Sequence, residues 1–333
     1  MFTPATAGDR VTDIQGADGR VADALKAARL YYFHELTMET IARELNTSRS
    51  TVSRLIGFAR RSGLVEIRIT SPWERAPQLE RTLSRTFAVT AHVVPVPDTA
   101  SELERLDRVA MFAARLLNGL FDSDRVLGVA WGTTVSAVSR HLVAKRTHNA
   151  AVVQLNGAAN THTTGIAYAS DIIRRFGSAY SARVQEFPVP AFFDYAETKQ
   201  ALWRERSVRR ILDLQAAMDV ALFSIGTLDA AVPSHVYSAG YLEESDFADL
   251  RADGVVGDVA TVFFRGDGSD TGIALNARAS GPGLDRLRGV RHRLCVVAGE
   301  QKVVGVLGAL RGGLVSDLVL DEGAATALLA AAA

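Results

Sequence analysis

The sequence has very little cysteine and no long apolar run. Cys295 is the one cysteine among 333 residues, so the chain can form no internal disulfide. It lies in a strand-like apolar run, RLCVVAG, and we expect a buried structural thiol. A single thiol without zinc-ligand spacing is typical of a reducing compartment, which predicts a cytoplasmic protein. No stretch of about 18 apolar residues is present, so we expect no membrane span.

An excess of either charge is lacking as well. The chain has 37 Lys and Arg residues and 37 Asp and Glu residues, a formal net charge of +0. This excludes a protein that coats nucleic acid through its overall charge, and any charge-based binding must be local. Length and an ordinary composition predict two globular domains. The first residues contain no apolar signal core, and we expect residues 1–19 to form a flexible tail.

Three amphipathic patterns near the start of the chain predict a helix-turn-helix. Apolar residues recur at spacings of three and four over residues 21–36, from Met38 to Leu45, and from Val52 to Ala59. Thr37 and Ser48 are suitable N-caps for the second and third of these helices. A tight turn between those two helices is typical of the motif. A strand-like segment, LVEIRIT, follows.

The third helix has a basic outer face. Between Asn46 and Ser62 the chain carries four arginines and no acidic residue, while the apolar side chains face inward. Such a face can bond phosphates and base edges in the major groove of DNA. The predicted DNA-contacting residues are Thr47, Ser48, Arg49, Ser50, Thr51, Ser53 and Arg54. A solvated helix face is the competing interpretation, and Arg60 and Arg61 could equally interact with the helix dipole at the C-terminus.

Beyond this region, short apolar strands alternate with amphipathic helices. Strands are predicted in AHVVPVP, RVLGVA, AVVQLNGA, VALFSIG, RLCVVAG and LVSDLVLD. The alternation indicates an α/β fold with a doubly wound, Rossmann-like parallel sheet, in which ligands bind at the carboxyl ends of the strands. The expected domains are residues 20–70 for the helix-turn-helix, 71–90 for a linker helix and 91–333 for the α/β domain.

The loops that follow these strands contain candidate ligand-binding residues. Gly132, Thr133 and Thr134 stand between a strand and a helix start, where free N–H groups and hydroxyls form a workable phosphate cradle. Lys302, one of only four lysines, stands at another helix start. An anionic partner would explain a cation that opposes the helix dipole there. A simple helix cap and a solvated surface lysine are the competing interpretations.

No catalytic set emerges from the sequence. Asn156, Asp258, Asn276 and Arg278 lie in loop-like, glycine-flanked stretches, but asparagine and aspartate are common in turns for backbone reasons alone. The GxSxG and HExxH motifs are absent, and no motif ties a carboxylate to His162. We therefore expect no enzymatic activity, no cofactor and no metal.

Two blocks of sequence resemble one protein family. The segment LYYFHELTMETIARELNTSRSTVSRLIGFARRSGLVEIRI resembles the DNA-binding domain of the SorC family of bacterial sugar-responsive transcription regulators. The segments VLGVAWGTTVSAV, VVQLNGA, ALFSIGTL, GVVGDVATVFF, LNARASG and VVAGEQK are similar, in order, to the effector-binding domain of that family. The resemblance implies a domain akin to sugar-phosphate isomerases that binds a sugar, polyol or phosphosugar without turning it over. It also implies a homotetramer.

The resemblance also implies a set of effector-binding residues by position. They are Gly132, Thr133, Thr134, Asn156, Gly157, Asp258, Asn276, Arg278 and Lys302. The first three fall on the phosphate-contacting loop of the family, and Asp258 falls on a segment that contacts sugar hydroxyls. Some members carry, in the loop around position 156, a lysine that can form a Schiff base. Asn156 stands there in this chain, which argues against covalent capture of an aldehyde sugar.

The sequence therefore predicts a regulator of a sugar or polyol catabolic operon. Its expected partners are operator double-stranded DNA, a sugar, polyol or phosphosugar effector, and further copies of itself in a dimer or tetramer. Effector binding is expected to shift the population between assemblies with different DNA affinity. The alternatives are a phosphosugar isomerase or deaminase with an appended DNA-binding domain, whose acid–base set is not recognisable here, and a binding module without an effector.

Overall fold

The structure, a computed structural model, describes residues 8–34, 36–65, 72–160, 166–228, 237 and 240–333. The chain divides into two compact units, Met1–Thr70 and Ser71–Ala333. His162, the first residues of the expected tail and most of the segment LVEIRIT lie outside the described residues. None of the helices in the described part of the chain is long and apolar enough to cross a membrane.

The first unit contains the predicted helix-turn-helix. Its helices are α1 (Gly8–Tyr32), α2 (Met38–Glu44) and α3 (Arg49–Arg61). Thr37 and Ser48 cap α2 and α3, because their hydroxyls accept from the N–H groups of Thr40 and Thr51 at 3.2 Å each. The helix α1 begins earlier than predicted, so residues 8–19 are helical where a flexible tail was expected. Extension of an existing helix is easier than nucleation, and no proline interrupts this stretch.

The second unit is built around a seven-stranded parallel sheet, as the alternation of strands and helices predicts. The strands are β1 (Thr90–Val94), β2 (Val126–Val129), β3 (Ala151–Gln154), β4 (Arg183–Gln185), β5 (Val220–Phe223), β8 (His292–Val297) and β9 (Asp317–Asp321). They lie in the order β1-β9-β8-β5-β2-β3-β4. The strands β6 (Val255–Val259) and β7 (Val262–Arg265) form a separate antiparallel hairpin.

Helices cover both faces of the sheet. They are α4 (Pro72–Phe87), α5 (Glu102–Leu120), α6 (Thr133–Arg140), α7 (Ile166–Tyr180), α8 (Ala196–Trp203), α9 (Arg206–Ala216), α10 (Glu244–Ala252), α11 (Leu284–Arg288), α12 (Val303–Arg311) and α13 (Glu322–Ala332). Successive strand residues point to opposite faces. Leu222 packs with α5, α6 and α7, whereas Phe223 packs with α4, α12 and α13. Cys295 is fully buried on the second face, and burial raises the pKa of its thiol to about 12, as expected of a structural cysteine.

The helix expected as a linker, α4, is part of the second unit. Leu83 is fully buried in the core of the sheet. The side chains of Glu80 and Ser84 accept hydrogen bonds from the N–H groups of Val93 and Ala91, at 2.9 and 3.2 Å. These two donors belong to the edge strand β1, so α4 covers an edge that would otherwise be open.

The strand order creates a crevice between β2 and β5. From β2 the chain continues to β3 and β4 on one side, whereas from β5 it continues to β8 and β9 on the other. Because β2 and β5 are neighbours, their following loops leave in opposite directions. Ligands of open α/β sheets bind at such a point, beyond the carboxyl ends of the strands.

Candidate functional site

A cavity of about 320 Å³ opens at these strand ends. Six of the sequence-predicted residues line it: Gly132, Thr133, Thr134, Asn156, Asp258 and Lys302. They come from the loops after β2, β3 and β8 and from the β6–β7 hairpin. The fold thus brings together residues that are 170 positions apart in the chain, as the strand-end argument predicts.

The N-terminus of α6 lies in this cavity. Gly132 is the N-cap residue of the helix, with φ 145° and ψ 173°, and no side chain among the described residues caps it. A φ of this value favours glycine, which explains the residue type. Thr134 is only 6% exposed, whereas Thr133 is exposed. Within the part of the chain that the structure describes, the first-turn N–H groups of α6 therefore have no side-chain cap, and such groups bind anions.

Asn156 contributes an unsatisfied amide at the end of β3. The residue is 1% exposed, and its Oδ1 has no hydrogen-bond partner among the described residues. Its backbone carbonyl accepts from Nε2 of Gln154 at 2.7 Å and from Nε1 of Trp131 at 3.2 Å, which fixes the main chain. A buried amide oxygen without a donor costs about 1–3 kcal/mol. A hydroxyl of a bound ligand would remove that cost.

Asp258 is a buried carboxylate with two protein donors. The hydroxyl of Tyr237 donates to Oδ1 at 2.7 Å, and the N–H of Thr261 donates to Oδ2 at 3.0 Å. Burial raises the pKa of Asp258, and these hydrogen bonds together with the charge of Lys302 oppose that rise. The residue lies in strand β6 and not in a loop as its glycine-flanked sequence suggested. The β6 backbone also pairs with Gly226, after β5.

Lys302 is held inside the cavity and is not a solvated surface lysine. The side chain is half-buried, and Nζ donates to Oγ of Ser224 at 3.4 Å. Burial lowers the pKa of Lys302, while Cys295 and Asp258 act in the opposite direction. Lys302 ends a short 3₁₀ helix, Glu300–Lys302, and precedes α12. An anionic ligand would offset the desolvation cost of this cation further.

The turn between β6 and β7 carries backbone strain at the cavity wall. Ala260 and Thr261 have φ values of 48° and 71°, and both residues line the cavity. Two left-handed residues form the kind of turn that matches the twist of a hairpin, but glycine or asparagine usually occupies them. A β-branched residue at such a φ is an outlier. Strain of this kind clusters at ligand-binding sites.

Three of the predicted effector residues do not line the cavity and have structural contacts. The N–H of Gly157 donates to Oγ of Ser280 at 2.9 Å, and a Cβ at Gly157 would lie 2.2 Å from a backbone oxygen. The amide of Asn276 pairs with the backbone of Phe263 at 2.8 and 2.9 Å. Nη2 of Arg278 donates to Oδ1 of Asp246 at 2.7 Å.

The structure also brings charged residues to the cavity that the sequence did not single out. Arg105, on α5, lines the cavity and forms an ion pair of 2.7 Å with the fully buried Asp321 at the end of β9. Glu102, on the same helix, accepts from Nε2 of Gln301 at 3.1 Å. Asp321 stands between a strand and a helix and was detectable as an N-cap. No nearby sequence pattern identifies Arg105, because its partner Asp321 lies 216 positions away in the chain.

The outer face of α3 is exposed in the first unit. Arg49, Ser50, Ser53 and Arg54 are exposed, and the first turn of α3 contains no acidic residue. Among the other predicted DNA contacts, Thr47 and Thr51 are half-buried, and the hydroxyl of exposed Ser48 is engaged with the helix as its cap. Arg49 and Arg54 are therefore cations on this face that DNA could reach, and Arg60 and Arg61 are exposed in the last turn of the helix.

Comparisons with known proteins identify both units. The Sugar-bind family, described as "Putative sugar-binding domain", matches residues 71–330, and the Sigma-70, region 4 family matches residues 28–62. The deoxyribonucleoside regulator of Bacillus subtilis (strain 168) is 33% identical over 310 residues, 92% of this chain and 96% of that protein. The full-length sorbitol operon regulator SorC of Klebsiella pneumoniae has a TM-score of 0.71 at 25% identity, over 93% of this chain and 99% of that chain.

The chain belongs to the SorC family of transcriptional regulators. A domain of a possible sugar-binding transcriptional regulator from Arthrobacter aurescens TC1 is 59% identical, with a TM-score of 0.73 over 78% of this chain and 100% of that domain. These SorC-family relatives are named as transcriptional regulators and not as enzymes. The protein is a DNA-binding regulator with a sugar-binding domain.

Proposed function

We propose that this SorC-family regulator binds a phosphorylated sugar or polyol in the cavity of its second unit. The observation that supports a phosphate is the uncapped N-terminus of α6 in the same cavity as Lys302. Helix N-terminal N–H groups and a lysine each gain more from a phosphate than from a neutral hydroxyl. Burial lowers the pKa of Lys302, so the cation stands there at a desolvation cost that an anionic ligand would offset.

Asp258 and Asn156 supply the recognition of hydroxyl groups. The carboxylate of Asp258 has acceptor capacity beyond its two protein donors, and Asn156 has an unpaired oxygen. Both groups favour a ligand rich in hydroxyl donors, which is the character of a sugar or polyol. The relatives named for deoxyribonucleosides and for a sorbitol operon are consistent with this class of effector.

The first unit is proposed to bind operator DNA through α3. Its outer face has exposed arginines and no acid in the first turn, which suits the phosphates and base edges of a major groove. Effector binding then shifts the population between assemblies that differ in DNA affinity. A regulator of this kind acts where the chromosome is, in the cytoplasm.

The substitution Thr134→Val tests the phosphate cradle. It keeps the shape of the side chain but removes a hydroxyl in the first turn of α6. Loss of a hydrogen bond to a charged group should weaken binding of a phosphorylated ligand by roughly 10- to 150-fold. A thermal-shift panel of polyols, sugars and their phosphates first identifies a suitable pair, such as a pentitol and its phosphate. Calorimetry with that pair then measures the change in affinity. Operator binding should persist but no longer respond to ligand at ordinary concentrations.

A matched control and a contrary result are available. Thr86→Val makes the same change at an exposed position on α4, away from the cavity, and should leave ligand affinity as it is. If the free pentitol binds more tightly than its phosphate, or Thr134→Val binds the phosphate like the wild type, then the segment WGTT is only a helix start.

A further inference from the structure

A second cation of the cavity has no role in the proposed phosphate site. Arg105 lines the cavity from α5, and its Nη1 donates to Oδ1 of Asp321 at 2.7 Å. The arginine side chain is 19% exposed, whereas Asp321 is fully buried. A buried carboxylate behind it holds the guanidinium in one position.

Asp321 does not depend on Arg105 alone to offset its charge. Its Oδ1 also accepts from the N–H of Ala324 at 3.1 Å, as the N-cap of α13, and its Oδ2 accepts from the N–H of Gly299 at 2.7 Å. A carboxylate at a helix N-terminus is stabilised by the helix dipole and by such charge-assisted bonds. Part of the positive charge of Arg105 therefore remains available to a ligand.

Most of the donors of Arg105 are also available. A guanidinium has five N–H donors in a rigid fork that matches the oxygens of carboxylates and phosphates. In the described part of the chain only Nη1 is bonded, and Nε and Nη2 have no partner. The neighbouring acids Glu102 and Glu300 are exposed, so water screens their charges. Held in place with free donors, the fork is preorganised for an anion.

The strand order separates this fork from the phosphate site. Asp321 ends β9 and Gly132 follows β2, and these two strands are three positions apart in the sheet. Three strand spacings amount to about 14 Å. The hydrogen bonds from Arg105 to Asp321, from Arg105 to the ligand and from the ligand to α6, at about 3 Å each, leave roughly 5 Å between two acidic groups of a ligand. A five- or six-carbon sugar chain has this reach, and one cavity touches both ends.

We propose that the effector is acidic at both ends, with a phosphate at the N-terminus of α6 and a second phosphate or a carboxylate on Arg105. Arg105 is then the residue that selects doubly acidic effectors over singly acidic ones. The proposal rests on the proposed function, because it takes the phosphate at α6 as given. It adds a specificity-determining residue and a narrower class of ligand.

Calorimetry of the full chain with matched ligands tests the proposal. The ligands are a hexitol 6-phosphate, the hexitol 1,6-bisphosphate and the 6-phosphate of the hexonic acid. The wild type should bind at least one of the two doubly acidic ligands with an affinity about tenfold or more above that for the monophosphate. Whichever of the two binds more tightly shows whether Arg105 prefers a phosphate or a carboxylate. Arg105→Gln should lower the affinity for that ligand by roughly 10- to 150-fold and leave the affinity for the monophosphate unchanged.

Controls separate this result from a loss of structure. Arg108→Gln removes the same charge from an exposed position on α5, outside the cavity, and should change nothing. The melting temperature without ligand reports folding. If Arg105→Gln does not fold, Arg105→Lys replaces it. This change keeps the charge but loses the fork, so the preference for the doubly acidic ligand should fall several-fold.

The proposal is overturned by a lack of selectivity in the wild type or in its response to the Arg105 variants. Equal affinity of the wild type for the mono- and doubly acidic ligands removes the basis for a second site. If Arg105→Gln loses affinity equally for all ligands, the guanidinium has no selective role. Where Arg105→Lys replaces that variant, an unchanged preference for the doubly acidic ligand leads to the same conclusion. If neither these ligands nor the pentitol phosphate binds the wild type, the proposed function itself is overturned, whereas binding of the pentitol phosphate alone overturns only the doubly acidic effector.

Discussion

The cavity contains a cationic and an anionic side chain that are both at least partly removed from water. Lys302 holds a cation in a half-buried position, and Asp258 holds a buried carboxylate on the wall of the same cavity. Burial disfavours the charged form of each group, which lowers the pKa of Lys302 and raises that of Asp258. Both groups would be replaced by apolar residues if stability alone were selected. Their presence supports the proposal that these two side chains bind a ligand.

Affinity for a phosphorylated ligand should depend on pH in two steps. It should rise as pH passes about 6, where the phosphate gains its second charge. It should fall again as pH rises through the pKa of Lys302, which burial places below the ordinary value of 10.5, because the neutral amine no longer attracts the phosphate. Calorimetry from about pH 5 to about pH 10 measures both steps. Burial raises the pKa of Asp258, which lines the same cavity.

The variant Lys302→Arg isolates the second step. An arginine stays charged over this range, so the decline of affinity at high pH should be absent in the variant. The unphosphorylated polyol is the matched control, since its affinity should show no rise near pH 6. A decline of equal size in wild type and variant would assign the step to another group.

At the scale of the element, the sequence predicted those strands and helices whose apolar pattern is regular. The strands that end at the cavity are continuous apolar runs, which is why the parallel sheet was predictable. β4 was missed because Arg183–Gln185 is a short and mostly exposed edge strand without such a run. The β6–β7 hairpin was missed because Gly257 suggested a loop, although this glycine only allows close approach to Gly226.

The residues of the cavity were predictable only where they directly follow a predicted strand. Residues that follow strands could be located from the fold class, and six of the nine predicted positions do line the cavity. Arg105 could not be found in this way, because α5 places it there from the middle of a helical pattern. Asn276 and Arg278 were assigned by resemblance, and their side chains have structural partners instead.

The helix α3 provides the prediction for DNA. Arg49→Ala and Arg54→Ala should each weaken operator binding by roughly 1–3 kcal/mol if the arginine reads a guanine, and by less, with little dependence on sequence, if it contacts phosphate only. Gel shifts with specific and unrelated duplexes distinguish the two cases. Arg206→Ala, an exposed arginine of the second unit, is the control. Unchanged affinity in both α3 variants, with folding intact, would exclude α3 as the recognition helix.

At the scale of the whole molecule, we expect a dimer or tetramer held mainly by the second unit. One small helix-turn-helix binds weakly, and paired half-sites require at least two copies. The helix α5 exposes Leu103, Met111 and Phe112, the kind of apolar surface that association covers. A fragment of residues 71–333 corresponds to one compact unit, and a related domain has been solved by itself. Light scattering should show it as an oligomer, and a monomer at micromolar concentration would contradict this.

Because α4 packs against the edge strand β1, the position at which the chain is cut decides whether the second unit can be expressed as a separate fragment. The sequence suggested a domain start at residue 91, but a chain cut there would lose Glu80, Ser84 and the buried Leu83. The N–H groups of Ala91 and Val93 would then form an open, apolar-flanked edge, which recruits strands from other chains. Such a fragment would precipitate during expression, whereas one that begins at Ser71 retains its own protection against aggregation.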